Sequence, residues 1–499
     1  MKEIRIDNEA RQALKRGADF VANIVKKTLG PDGRNVAIGS QFVHPVITND
    51  GVSIARAIEL KDPIENLGVQ IIREASQKTN DKAGDGTTTA ITLAQAIMNA
   101  GFNKLESDDK LFVNSKKESS LDIKRQIIDA GALVISELKK MAKPVKALED
   151  LQKVAFIAVE DKKLGDLIAE VVDKVGAEGV IKVEESDGVA VEYEITDGME
   201  IPSGYISPYM VTNDETLESV VQRANILVTN GNIASPAELL PIIQELQKES
   251  ISELVVFAEN VDKNVIEICN LNRIKGGVKV LIVKPSLWNK GIFEDIATVS
   301  GATLIDVNTG MVLSKATRQM LGKVTSVVST SDKTVITGGK GDRETAIKRL
   351  KAELKTTKAP FDKEKIEERI ARIAGKVALI NVGAVSNTER KYLKDKIDDA
   401  VNATQCALAE GVVAGAGLAL KAVSEKLKKN IITEAILAPY NQIQENSGGL
   451  KIAESVIDPV KVTRTAVETA CSVAANLLTI EAAIVDIPKK NESNTGENN

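Results

Sequence analysis

The sequence has very few residues of the types that most metal and nucleophilic sites require. Its 499 residues include one histidine, His44, and three cysteines. A histidine-rich zinc site is therefore excluded, and a Ser-His-Asp or Cys-His hydrolase would depend on His44 alone. His44 lies between Val43 and Pro45 in what we interpret as a surface hairpin. The cysteines are far apart in apolar surroundings, which predicts reduced thiols in the core.

Long hydrophobic runs are also missing. Apolar runs such as 278–283 have the length of a strand, and a spanning helix needs roughly 20 apolar residues. The first seven residues mix charges and lack the apolar core of a signal peptide. We therefore expect no membrane partner and a cytoplasmic location.

Neither sign of charge is in large excess. The chain has 65 Lys and Arg against 70 Asp and Glu, a formal net charge of -5. Such mixed charge offers no long basic face, so nucleic acid is not an expected partner. Hydrophobic residues make up 43% and charged residues 27%, which is typical of globular proteins. Because single cores stop growing near about 250 to 300 residues, two or three domains are expected.

Helical periodicity predominates near the N-terminus, and a different pattern follows. Segments 121–141 and 164–175 are predicted to be helices, the second ending at Gly176, and segment 106–120 is predicted to be a polar insertion. Between 197 and 375, strand-length apolar runs alternate with helical patterns, which predicts an inserted α/β domain. The predicted buried stripe of helix 121–141 consists of Leu121, Ile127, Ile128, Val134, Leu138 and Met141.

The segment Gly84-Asp85-Gly86-Thr87-Thr88-Thr89 is the clearest candidate for chemistry. It stands directly before an apolar helical pattern. Glycines let backbone N–H groups approach an anion, hydroxyls donate to phosphate oxygens, and Asp85 offers a hard oxygen ligand for Mg²⁺. A threonine-rich helix start without any ligand fits these residues equally well.

Three further segments are weak signals individually. Segment 28–35 is a glycine-containing turn after a helical pattern, and 48–53 has the Asp-Gly signature of a hairpin. Segment 410–417 resembles a glycine turn that allows close approach. The chain has no Walker loop of the form GxxxxGK[ST], so any ATP site must be of another type.

Five segments, taken in order along the chain, are TLGPDGRNV (28–36), ITNDGVSIAR (47–56), AGDGTTTA (83–90), EGVVAGAG (410–417) and DPVKVTR (458–464). Together they resemble the nucleotide-site motifs of group I chaperonins, the GroEL type. The resemblance implies a multidomain α+β and α/β fold. Its parts would be a mostly helical equatorial ATPase domain (1–140 plus 410–488), a small intermediate hinge domain (141–196 plus 378–409) and an inserted α/β apical substrate-binding domain (197–377). Residues 489–499 are predicted to be a disordered tail.

The same resemblance assigns roles to individual residues. It implies that Asp85 binds Mg²⁺, that Asp50 and Asp399 polarise the attacking water, and that Asp458 contacts the ribose. ATP and Mg²⁺ are the implied cofactors, with K⁺ as a further candidate. The remaining implied ATP-binding residues are Thr28, Leu29, Gly30, Pro31, Gly86, Thr87, Thr88, Thr89, Gly415 and Ala416. The implied apolar surface for substrate consists of Tyr205, Tyr209, Met210, Leu240, Ile243, Ile266 and Leu271.

The implied function is ATP-driven folding of non-native polypeptides inside heptameric single or double rings closed by a GroES-type lid. Three departures from the family pattern concern the mechanism: Asn49 replaces a usual lysine, Ala416 replaces a glycine, and segment 447–459 is shortened where the family contacts adenine. They motivate an alternative, a protein-binding scaffold with weak or no ATPase activity. A small-molecule kinase or ligase is disfavoured because the Walker loop and a recognisable second-substrate site are missing.

Overall fold

A computed structural model describes most of the chain as two compact units. The first unit comprises Met1–Ala177, Glu185–Val191 and Val382–Asn499, and the second comprises Glu178–Glu184 and Glu192–Asn381. His44, most of the predicted insertion and the predicted tail lie outside the described residues. The described residues are 2–39, 45–107, 118–177, 179–214, 216–286, 291–357, 359–449 and 456–486.

The described helices fall mainly in the first unit, and α8 to α12 belong to the second. They are α1 Asp7–Val25, α2 Gly51–Ala57, α3 Pro63–Ala83, α4 Thr87–Ser107, α5 Ser120–Met141, α6 Leu148–Val159, α7 Lys162–Val175, α8 Leu240–Lys248, α9 Lys263–Ile274, α10 Ile292–Ser300, α11 Arg343–Thr356, α12 Pro360–Ile373, α13 Asn387–Glu410, α14 Leu418–Lys426, α15 Ala438–Asn446 and α16 Val460–Leu477.

The described strands are concentrated in the second unit. They are β1 Lys2–Ile6, β2 Val36–Ile38, β3 Val46–Thr48, β4 Val180–Glu185, β5 Val191–Ile201, β6 Ser219–Gln222, β7 Asn225–Thr229, β8 Asn232–Ile233, β9 Glu253–Phe257, β10 Asn260–Val261, β11 Lys279–Val283, β12 Leu304–Ile305, β13 Gly322–Ser329, β14 Thr334–Gly339, β15 Lys376–Val382, β16 Val412–Ala414, β17 Ile457–Pro459 and β18 Ala482–Asp486.

The first unit is built around α16, which is buried on nearly all sides and packs against α3, α4 and α5. Small residues allow this close packing: a Cβ added at Gly131 would lie 2.8 Å from Cys471 Sγ. The chain ends meet here, since β1 pairs antiparallel with β18 in the register Ile4↔Ile484. Both ends of the sequence therefore contribute to the helical unit.

The second unit contains a mixed ten-stranded sheet. Its main path is β11-β9-β7-β13-β14-β5-β15-β4, with β12 beside β7 and β6 beside β13. Strands β7, β9 and β11 are parallel and are connected through α8 and α9, whereas β13 pairs antiparallel with β7 and β14. The alternation of apolar runs and helical patterns between 197 and 375 thus predicted an α/β unit correctly.

Two local predictions are wrong. Leu121 and Ile128, placed in the buried stripe of α5, are 57% and 42% exposed, whereas Ile123 and Ala130 face the core. The Asp-Gly pair at 50–51 forms no hairpin turn, because Gly51 begins α2. Asp50 caps that helix by accepting from the N–H groups of Val52 and Ser53 at 3.2 and 2.8 Å, and an aspartate in this role favours a helix start.

In the part of the chain that the structure describes, no helix has both the length and the apolar character needed to cross a lipid bilayer.

Candidate functional site

The segment Gly84–Thr89 comprises a tight loop between α3 and α4, residues 84–86, and the first turn of α4. Gly84 ends α3 in the left-handed conformation, with φ 65°, and Gly86 has φ 80°. A Cβ added at Gly86 would lie 2.6 Å from Val462 Cγ1, so both conformation and space favour glycine there. Thr87 then begins α4. The first N–H groups of a helix lack intrahelical partners and attract anions, which suits a phosphate.

Asp50 lies against the start of α4. The Thr87 hydroxyl donates to Asp50 Oδ1 at 3.5 Å. A Cβ added at Gly51 would lie 2.8 Å from Thr88 Oγ1 and 2.9 Å from Thr87 Oγ1. Gly51 is therefore the residue that lets the N-terminus of α2 approach the threonines of the loop.

Asp399 is carried by α13, which packs against the same loop from another side. Asn402, one turn further along, donates from Nδ2 to Gly84 O at 3.5 Å. Cys406 donates from Sγ to Ala83 O at 3.4 Å. These two contacts hold α13 against the end of α3, so that Asp399 faces Asp85 and Asp50, with which it forms the group of aspartates around the loop.

The aspartates interact strongly with one another. Burial, followed by repulsion from Asp85 and Asp50, raises the pKa of Asp399 well above its usual value. Burial also raises the pKa of Asp85, and repulsion from Asp50 adds to the shift, whereas the Gly86 N–H and the charge of Lys396 act in the opposite direction. Bound positive charge would relieve this repulsion.

These residues fit Mg²⁺ held together with a nucleotide. Among the described residues, no three Asp, Glu, Cys or His side chains form a metal site on their own. Mg²⁺ is usually bound through one or two carboxylates together with substrate phosphates and water. Asp85 Oδ1 accepts from its neighbour Gly86 N at 2.5 Å, and its other carboxylate oxygen could bind the ion.

The predicted phosphate residues Thr28–Pro31 lie in a turn that follows α1 and packs against α4. The Thr28 hydroxyl donates to Val25 O at 2.8 Å. Asn446 in α15 donates from Nδ2 to Leu29 O at 2.8 Å, and a Cβ at Gly30 would lie 3.2 Å from the Ile443 side chain. The sequence did not indicate this supporting role of α15.

Gly415 and Ala416 form a turn beside Asp458, because β16 and β17 pair in the register Val413↔Asp458. The Ala416 N–H donates to Asp458 Oδ2 at 2.9 Å. Burial, with a smaller contribution from the charge of Asp85, raises the pKa of Asp458 to about 6. Ala416 has φ 52°, a conformation that is strained for a residue with a Cβ. Residues 450–455 of the shortened segment 447–459 lie outside the described residues.

The predicted substrate residues lie in the second unit and differ in exposure: some are exposed, some are partly buried, and Met210 is buried. Tyr209, Leu240 and Leu271 are 77%, 49% and 53% exposed. Arg273 donates from Nη1 to Tyr209 O at 2.8 Å, which joins Tyr209 to α9. Tyr205, Ile243 and Ile266 are partly buried against the core.

Met210 is buried, and its Sδ accepts from Ile282 N at 3.4 Å. Its assignment to the surface is therefore wrong. Conversely, the sequence reasoning missed Ile268 and Ile274, which are 49% and 78% exposed on α9. Their spacing of three residues on either side of Leu271 is a signal that could have revealed them.

Comparison with known proteins identifies the family. Residues 21–435 match the sequence model of the TCP-1/cpn60 chaperonin family. The chain belongs to this family.

Two solved structures of the chaperonin gp146 from bacteriophage EL 2 (Pseudomonas aeruginosa), both determined in the presence of ATP-BeFx, share the fold of this chaperonin. Crystal form II gives a TM-score of 0.69 and crystal form I one of 0.63, each at 18% sequence identity. Each match covers 97% of this chain and 99% of the phage chain. The multidomain chaperonin fold expected from the motifs is thus confirmed, whereas the boundaries of the three domains stay predictions.

Proposed function

We propose that this chaperonin is an ATP-hydrolysing molecular chaperone that forms rings, binds non-native polypeptides and encloses them for folding. The observation that carries the proposal is the convergence of Asp50, Asp85 and Asp399 on the loop 84–89. Three separate parts of the chain supply these carboxylates, and burial, together with their mutual repulsion, raises the pKa of Asp85 and Asp399. Such an arrangement favours a cationic ligand such as Mg²⁺ with a nucleotide.

The residues of the proposed nucleotide site would have separate roles. Mg²⁺ held by Asp85 would neutralise charge on the phosphates. Threonines 87–89 and the turn 28–31 would cradle the phosphates, and Gly415, Ala416 and Asp458 would contact the nucleotide. Asp50 and Asp399 would orient the attacking water. K⁺ is a candidate for a second ion at the phosphates.

Asp50 would have two roles, because the carboxylate that would orient the water also caps α2. Its Oδ1 accepts from Val52 N and from the Thr87 hydroxyl, and its Oδ2 accepts from Ser53 N, so the second lone pair of Oδ2 is the one that would serve the water. The cap fixes the direction of the carboxylate, which suits a group that must position a water molecule.

For substrate capture, we propose the exposed apolar residues of α8, α9 and Tyr209. Apolar surface binds unfolded chains without a requirement for sequence, because the interaction is proportional to area and has no direction. A GroES-type lid, a heptameric single or double ring and a cytoplasmic location complete the proposal.

A scaffold with weak or no hydrolysis is the second candidate, and the strained Ala416 favours it. Its methyl group stands in the turn beside Asp458, where the family has a glycine. Two measurements on the purified full chain separate the candidates: steady-state Mg-ATPase activity, and electron-microscope images with and without ATP. Rings with ATP turnover support the chaperone, rings without turnover support the scaffold, and small monomers under every condition would contradict both.

A further inference from the structure

Lys396 lies on α13 beside the group of aspartates and has no role in the proposed function so far. It precedes Asp399 by three residues, and Asn402 follows Asp399 by three. Residues at this spacing are neighbours on a helix surface. Because Asn402 contacts Gly84 at the loop, the surface of α13 that carries Asp399 is directed towards the loop, with Lys396 at its margin.

Lys396 is largely shielded from water and bound to a single described carboxylate. Its side chain is 12% exposed, and Nζ lies 3.2 Å from Glu160 Oε1. Glu160, at the end of α6, is 57% exposed. An ion pair with an exposed carboxylate is weak because water and salt screen it, so a stronger acceptor nearby could replace Glu160.

The charge of Lys396 also reaches the loop. Its ammonium group and the carboxylate of Asp85 are close enough for their opposite charges to interact. A lysine is a point charge on a flexible four-carbon chain and can change partners without movement of the backbone. A nucleoside triphosphate held at the loop would bring several negative charges to the same neighbourhood.

We propose that Lys396 exchanges its partner Glu160 for the terminal phosphate when a nucleoside triphosphate binds at Gly84–Thr89. The exchange rests on the proposed nucleotide site and adds to it a residue that distinguishes triphosphate from diphosphate. It also makes Glu160 a competitor of the nucleotide, so that the position of α6 against α13 regulates how readily the triphosphate is held.

The test compares the affinities of the full chain for ATP and ADP, measured by calorimetry with Mg²⁺ present. Lys396→Met should lower the affinity for ATP about tenfold or more, since a hydrogen bond to a charged group is lost, and should leave the affinity for ADP within about twofold. Lys396→Arg retains the charge and should keep most of the preference for ATP. Glu160→Gln should raise the affinity for ATP a few fold.

Lys391→Met is the matched control, because Lys391 is an exposed lysine on the same helix. An ATP-to-ADP affinity ratio that is the same for Lys396→Met and Lys391→Met, in proteins with wild-type circular dichroism, overturns the role of Lys396. If Lys396→Met does not fold, Lys396→Arg and Glu160→Gln decide the question. In that case, an ATP affinity of Glu160→Gln that is no higher than that of the wild type overturns the exchange.

Failure of the proposed function gives a different result. A wild-type chain that binds ATP without hydrolysing it contradicts the ATPase, while the affinity ratio still tests Lys396. A wild-type chain that hydrolyses ATP while Lys396→Met keeps the wild-type ratio contradicts only the inference about Lys396. A wild-type chain that binds neither nucleotide contradicts both.

Discussion

The side-chain amide of Asn402 donates to the carbonyl oxygen of Gly84 at 3.5 Å, across 318 residues of sequence. This contact joins α13, which carries Asp399, to the loop that carries Asp85. Asp399, the predicted catalytic carboxylate, and Asp85, the predicted metal-binding carboxylate, are therefore positioned by one shared interface. Changes at that interface should affect nucleotide chemistry more than they affect the rest of the fold.

Gly84→Ala should impair the site directly. Gly84 has φ 65°, and an added Cβ would lie 2.3 Å from Asn402 Cγ. The methyl group must displace Asn402 or the loop, so we expect at least a tenfold loss of nucleotide affinity and destabilisation by about 1 to 2 kcal/mol. Calorimetry and thermal unfolding measure both. Gly39→Ala is the control, because nothing lies within 4 Å of its added Cβ; equal effects in the two variants would refute the argument.

Asp399→Asn should separate binding from hydrolysis. The substitution keeps the shape of the side chain and removes the negative charge that would polarise water, so kcat should fall about 100-fold or more while ADP affinity changes little. Steady-state ATPase assays and ADP titration check this. Glu389→Gln, an exposed position on the same helix, should leave kcat unchanged; turnover by Asp399→Asn at the wild-type rate contradicts the assignment.

The fold could be predicted well where the signals are local. The glycines around Asp85, the apolar pattern of α4 and the strand-length runs of β7, β9 and β11 are each contained within a few residues. These features identified the loop and the α/β unit before any tertiary contact was known. The ordered set of motifs then selected the family.

The errors arose where tertiary contacts decide. Leu121 and Ile128 have the spacing of a helix stripe, but α16 packs on the neighbouring side of α5. Met210 is apolar and near an exposed tyrosine, and only the arrangement of β11 shows that it is core. The contacts of Asn402 with Gly84 and of Lys396 with Glu160 connect residues hundreds of positions apart, and no periodicity in one sequence encodes such pairs.

Asp458 should make stability depend on pH in an unusual direction. Its pKa is raised from 3.8 to about 6 in the folded chain, so the folded state binds more protons than the unfolded state between these values. The contribution of this carboxyl to stability is therefore fully present below about pH 4 and is lost as the pH rises through 6.

Asp458→Asn should accordingly stabilise the nucleotide-free chain at pH 8, by about 1 to 2 kcal/mol after allowance for partial solvent exposure, and should have little effect near pH 4. The amide oxygen of Asn can still accept from Ala416 N. Thermal unfolding at the two pH values measures the difference. The exposed Asp32→Asn serves as control, and a stabilisation of Asp458→Asn that does not change with pH would be inconsistent with the raised pKa.

Leu271→Ser should weaken binding of non-native polypeptide. Leu271 is 53% exposed on α9, and burial of a leucine side chain contributes about 1.5 to 3 kcal/mol, so the affinity should fall about tenfold. Titration with a fluorescently labelled, chemically denatured protein measures the loss, and ATPase activity without substrate should stay within about twofold. Val385→Ser is the control, since Val385 is 88% exposed but belongs to the first unit. Equal losses in both variants would remove the specific role of α9.

Asp295 should be the most sensitive charged residue of the second unit. It is fully buried and accepts from Arg369 Nε at 3.0 Å and from Arg372 Nη1 at 2.7 Å. Asp295→Ala leaves two guanidinium groups without their buried partner, and removal of one member of a buried pair costs about 3 to 5 kcal/mol. Hydrogen exchange in α10 and α12 of the full chain should therefore accelerate strongly.

Glu294→Ala provides a comparison with the same arginine. Glu294 Oε2 lies 2.8 Å from Arg369 Nη2, but the Glu294 side chain is 52% exposed, and an exposed pair contributes at most about 1 kcal/mol. The two acidic neighbours thus differ in burial while they share Arg369. If exchange in α10 and α12 responds equally to both substitutions, burial is not what makes Asp295 important, and the second unit must depend on other contacts for its stability.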